Sequence, residues 1–209
     1  MSRHILTAGL IISVAYAAVH IAFADATLLT GAAPLRLSVR NYLGNVLGSG
    51  MVWGIFSYLM GKDFPGWWLK AVLAGTEIIL MMLVVHYALL MVFGVYNWLE
   101  AFEYNAQWFF LALLSGPVLG LADATSARFH WFDYLVVLGF LLEPVIAGLV
   151  PGSSYLPRTT TIPGYFAAAT LWLIGAGFFI WQRRSTRSAL PPRPTTPACR
   201  ARQRRERPS

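Results

Sequence analysis

Apolar residues in this chain neither alternate nor keep to one helical face; they run in long blocks separated by short polar breaks. An α-helix needs roughly 20 mostly apolar residues to cross a hydrocarbon core of about 30 Å. Six blocks meet that pattern, at residues 5–24, 42–60, 69–93, 106–122, 131–150 and 162–181. The pattern predicts an all-α, polytopic membrane protein, a bundle of six transmembrane helices occupying residues 1–182. Aromatic residues cluster where blocks end, as at Trp67, Trp68, Trp98, Trp131 and Trp181, and suit the two water interfaces. The first block resembles a signal peptide, since Arg3 and His4 precede it and it ends in Ala22, Phe23 and Ala24. A retained first helix is the simpler expectation for a multi-pass chain, and the remaining topology is the same either way.

Composition supports the pattern: 57% of the 209 residues are hydrophobic and 12% charged, with a mean hydropathy of +0.58. That balance excludes a soluble globular domain of this length. Orientation follows from the basic residues. With the N-terminus inside, 13 Lys and Arg fall on the cytoplasmic side and 3 (Arg36, Arg40 and Arg158) outside, which predicts N-in and C-in. Most of the excess lies in residues 183–209, an Arg- and Pro-rich stretch expected to be a disordered cytoplasmic tail. Its first arginines, Arg183, Arg184 and Arg187, are placed to meet anionic lipid headgroups. Nucleic-acid binding is not expected, because neither aromatic residues nor a folded scaffold accompany these arginines. Cys199 is the single cysteine, so no internal disulfide can form.

Small residues four apart, at Gly44 and Gly48, Gly50 and Gly54, and Gly116 and Gly120, allow close helix approach inside a membrane. The spacing does not distinguish packing within the chain from packing against a second copy or another membrane protein. Pro117 and Pro144 each remove a backbone donor and free the carbonyl four residues earlier, so kinks are expected at both.

The candidate chemistry lies in ionisable residues within or at the ends of the apolar blocks: His20, Asp25, Glu77, His86, Asp123 and Glu143. Ionisable groups inside a bilayer are costly and commonly functional. At about 1.5 Å per residue, Glu77 falls in the cytoplasmic half, Glu143 near the middle, His86 and His20 in the outer half, and Asp25 near the outer surface. Glu100 and Glu103 stand in an outer loop, and Asp123 closes the fourth block at the inner side. Such a staggered ladder suits a proton or solute pathway through Glu143, Glu77, His86, His20 and Asp25. No block has a central Lys or Arg to neutralise the acids.

A structural role competes for Glu143, whose hydroxyl could donate to the Phe140 or Gly139 carbonyl near Pro144. Nine residues, half a turn, separate Glu77 from His86, so that helix is expected at the centre of the bundle. The histidines are read as hydrogen-bonded interior residues rather than metal ligands, because no close cluster of ligand types surrounds them. No nucleophile elbow, zincin helix, phosphate loop or dinucleotide fingerprint is present; no catalytic residue, metal or cofactor is assigned.

Trp108, the run Gly116, Pro117 and Gly120, then Arg128 and Glu143 resemble a family of bacterial multi-pass membrane proteins classed as a domain of unknown function. The likeness covers about residues 41–150, including the Gly- and Ser-rich second block. It implies a compact helical membrane protein and no particular activity. The two expectations for function are a small-solute or proton-coupled carrier of the cell membrane, and a non-catalytic scaffold or accessory subunit held to another membrane protein.

Overall fold

A computed structural model describes residues 3–24, 34–103, 105–126, 130–150 and 162–188. Among them the protein is all-helical. Eight α-helices follow in order: α1 (Arg3–Ala22), α2 (Pro34–Leu47), α3 (Gly50–Gly61), α4 (Trp68–Val92), α5 (Trp98–Glu103), α6 (Ala106–Ser126), α7 (Asp133–Ile146) and α8 (Ile162–Ser188). Five stretches are long and apolar enough to cross a membrane; α2 and α3 together make one of them, Leu35–Gly61, and the shorter apolar helix Tyr134–Ile146 is a sixth candidate.

Helix α4 is central, packing on α1, α3 and α6. Glycines make those contacts close. A methyl group at Gly61 would strike the Gly120 carbonyl, one at Gly120 the Ala71 carbonyl, and one at Gly116 would lie 2.8 Å from the Thr76 Cα. Gly116 and Gly120 therefore bring helices of this chain together. Gly48 is closed in by the Tyr16 hydroxyl and the Gly44 carbonyl, whereas a methyl at Gly44 would meet open space. The interior hydroxyls bridge neighbouring helices: Ser57 Oγ donates to the Gly116 carbonyl (2.8 Å), and Ser13 Oγ to that of Met82. One apolar cluster joins α1, α3, α4 and α6; a second, around Phe140, Val136 and Leu171, joins α3, α6, α7 and α8.

Three expectations need correction. The second block is two helices, broken at Gly48 and Ser49. The fifth is shorter than expected: α7 has 14 residues, about 21 Å of rise. It stops because Gly148 adopts a positive φ (68°), the Gly148 amide donates to Val145 and the Leu149 amide reaches back to Pro144, an arrangement that satisfies the last carbonyls. Pro144 thus lies in the final turn, and α6 continues through Pro117 to Ser126. The last helix passes Trp181 and reaches Ser188, so Arg183, Arg184 and Arg187 are helical where a disordered tail was expected; residues 189–209 lie outside those described. The chain divides after Phe179 into a helical unit and a second unit, Ile180–Ser209.

Candidate functional site

The site begins with a backbone problem. Breaking a helix in mid-span leaves carbonyls at the end of α2 and amides at the start of α3 without partners, and hydrocarbon supplies none. Every such amide is accounted for. Ser49 caps α3: its Oγ accepts from the Val52 amide (3.2 Å), while its carbonyl accepts from the Trp53 amide (3.2 Å). The Gly50 and Met51 amides donate to Glu143 on α7, at 2.6 Å to Oε1 and 3.1 Å to Oε2. Ser49 Oγ donates to Oε2 at 2.5 Å, so one hydroxyl links the cap to the carboxylate. On the other side of the break, Trp53 Nε1 donates to the Leu47 carbonyl at 2.6 Å.

Glu143 is thus the acid that closes the N-terminus of an interrupted helix. It accepts three hydrogen bonds from α3 and its cap, rather than donating to its own helix at Phe140 or Gly139. A carboxylate at a helix N-terminus also meets the positive end of the helix dipole, equivalent to about half a charge. The position is mid-span: Ser49 follows 14 residues of the 27-residue stretch and precedes 12.

Glu143 also lines a cavity of about 570 Å³ bounded by α1, α3, α4, α6 and α7. The broken backbone forms part of the same wall, through Gly48, Gly50 and Met51. Apart from Ser115 and His86, the remaining side chains of the wall are aliphatic and aromatic, with Tyr16, Trp53, Tyr87 and Trp108 among them. Five aliphatic residues of the wall, Leu111, Leu114 and Val118 on α6 and Leu142 and Ile146 on α7, are 46–64% exposed. The cavity is open rather than sealed, and its exposed apolar wall is carried by α6 and α7.

His86 completes the site. Its side chain is 3% exposed, it lines the cavity, and its Nδ1 has no hydrogen-bond partner among the described residues. The ring stacks on Tyr16 (centroids 4.4 Å apart, planes at 12°) and meets Trp53, Tyr87 and His20 edge-on at 5.0–6.0 Å. An unsatisfied buried nitrogen costs about 1–3 kcal/mol. The residue borders the cavity, while Nδ1 itself is enclosed by the packing.

The predicted ladder is therefore partly assembled. Glu143 and His86 share one cavity, and His20 reaches it only through the Tyr16 and His86 rings. Glu77 does not belong to it: the residue stands exposed on another side of α4. Asp25 lies outside the described residues. Glu100 has a local task at the start of α5, where Asn97 Oδ1 accepts from the Glu100 amide and Glu100 Oε2 from the Asn97 amide. No group of three or more His, Cys, Asp or Glu able to hold a metal ion occurs among the described residues. Ser49, Trp53, Tyr16 and Tyr87 were not singled out from the sequence. The signal available for the first was the run Leu47, Gly48, Ser49, Gly50, a capping residue between two glycines inside an apolar block.

Comparison of the chain with family models, with curated proteins and with solved structures finds no match to any of them.

Proposed function

We propose that the chain is a small carrier of the cell membrane, with both termini cytoplasmic, whose cargo occupies the cavity between α3, α4, α6 and α7. Glu143 is its charged contact, with Ser115 and His86 also on the wall. The observation that carries this reading is the mid-span helix break whose exposed backbone lines a cavity closed by an acid. Irregular backbone at membrane depth is tolerated where it is buried in protein or lines a cavity, and discontinuous helices of this kind form binding sites in transporters. A passive scaffold has no use for such an interruption. The arginines at the end of α8 and beyond it hold that face to anionic headgroups.

Access by water tests the proposal without knowledge of the cargo. Ser115→Cys, placed in a Cys199→Ser background, puts one thiol on the cavity wall. A carrier cycling between two states exposes that thiol to a membrane-impermeant reagent from each side of sealed vesicles in turn. Reaction from one side only, or from neither in folded protein, would contradict the carrier.

The scaffold reading keeps one observation in its favour, the exposed Glu77 on a membrane-spanning helix. Insertion of an acid at that depth costs about 2.5–3.5 kcal/mol, which a second copy or a partner subunit could relieve.

A further inference from the structure

We infer that the cargo of this cavity is a lipophilic organic cation, a bulky aromatic or alkyl group carrying one positive charge, taken up from within the bilayer. This inference rests on the carrier reading and names its substrate class.

Charge comes first. Among the described residues no Lys or Arg lines the cavity, and Glu143 is its one acidic group. The three donors on that carboxylate are a hydroxyl and two amides, which carry no net charge. The α3 dipole offsets about half an elementary charge, so about half a negative charge faces the cavity uncompensated. An anion would meet repulsion there, and a neutral molecule would leave the imbalance in place. Oε1 accepts a single hydrogen bond, from Gly50, and a carboxylate oxygen has room for a second partner.

Shape and surface chemistry narrow the class further. Tyr16, Trp53, Tyr87 and Trp108 all line the space, and aromatic rings attract cations that have shed their water. A volume of about 570 Å³ suits a molecule of drug size. A small inorganic cation would find one carboxylate and too few further oxygens to replace its hydration shell. The exposed apolar wall residues of α6 and α7, Leu114, Val118, Leu142 and Ile146 among them, favour a cargo that partitions into lipid.

Tetraphenylphosphonium and tetraphenylborate share a shape and differ in the sign of their charge. Equilibrium dialysis of the purified full chain in detergent, with empty micelles as baseline, measures the binding of each. Saturable binding of the phosphonium near one per chain is expected, with binding of the borate at least 10-fold weaker. Trp108→Leu weakens phosphonium binding about 10-fold while Trp108→Phe largely retains it, as expected for a desolvated cation on an aromatic face.

Glu143→Gln, checked for folding by melting, removes saturable binding of the cation. Equal binding of the two ions, no difference between the two Trp108 variants, or unchanged phosphonium binding by folded Glu143→Gln would each overturn the inference. Should Glu143→Gln not fold, the ion pair and the Trp108 pair still decide. Two-sided thiol reactivity without phosphonium binding leaves the carrier standing and removes the cation; phosphonium binding with a one-sided thiol does the reverse.

Discussion

Replacement of Glu143 by glutamine tests the central structural claim, that this side chain holds together a helix broken in mid-membrane. Gln has nearly the same shape but can accept on one side only. With its amide oxygen at the Oε2 position it keeps Ser49 Oγ and the Met51 amide, and its NH2 then faces the Gly50 amide, donor against donor, where a 2.6 Å hydrogen bond stood. The reverse placement keeps the Gly50 amide and sets the NH2 against the Met51 amide instead. Hydrogen bonds to a charged group contribute about 1.5–3 kcal/mol each, and the interaction with the helix N-terminus adds about 0.3–1 kcal/mol. A net destabilisation of about 2–4 kcal/mol follows. For a chain of this size each kcal/mol moves the midpoint by about 2–4 °C, so thermal melting in mild detergent should fall by roughly 5–15 °C.

Ser49→Ala should cost less, about 0.5–2 kcal/mol, the range for loss of a helix cap. Because Ser49 touches both the carboxylate and the Val52 amide, the two substitutions must be non-additive, by roughly 0.5–3 kcal/mol. A change below about 2 °C for Glu143→Gln, or strict additivity with Ser49→Ala, would refute the reasoning. An acid whose only role is to titrate in a water-filled pathway could be replaced by its amide without such a loss.

Other predictions concern the frame around the site. Gly120→Ala puts a methyl into the Ala71 carbonyl and should destabilise by about 1–3 kcal/mol or more, whereas Gly44→Ala, with nothing within 4 Å, should be neutral or stabilising by up to about 1 kcal/mol; melting in the same detergent ranks them. Trp53→Phe keeps an aromatic ring but leaves the Leu47 carbonyl without its donor at 2.6 Å, and should cost about 1–3 kcal/mol in the same assay. Glu77→Leu should leave melting unchanged or raised if Glu77 meets lipid; a fall in oligomer mass by light scattering, with the fold intact, would favour the scaffold reading instead.

The architecture was legible because apolar length alone decides which segments can span a bilayer, and local composition carries that information. Glu77 and His86 show the same economy at finer scale: half a turn of separation already places them on different sides of α4, one exposed and one buried. What composition could not carry was the break at Gly48 and Ser49. In isolation that stretch is a glycine-rich apolar helix, and continuing it would satisfy every backbone group locally. The interruption persists because residues far away in the chain complete it. Glu143 lies 93 residues beyond Gly50, and Gly48 sits against Tyr16 of α1.

That dependence also explains why Glu143 does not bond its own helix, the structural alternative open from the sequence. Pro144 frees a carbonyl nearby, which makes Phe140 or Gly139 a possible acceptor. In the folded chain Pro144 lies in the last turn of α7, where the Schellman-type closure at Gly148 already settles the backbone. The carboxylate is left to turn outward from α7, and the nearest unpaired donors are the first amides of α3. The acid, the helix break and the cavity are consequently one feature. Removing the break would abolish the donors, and removing the acid would strand them.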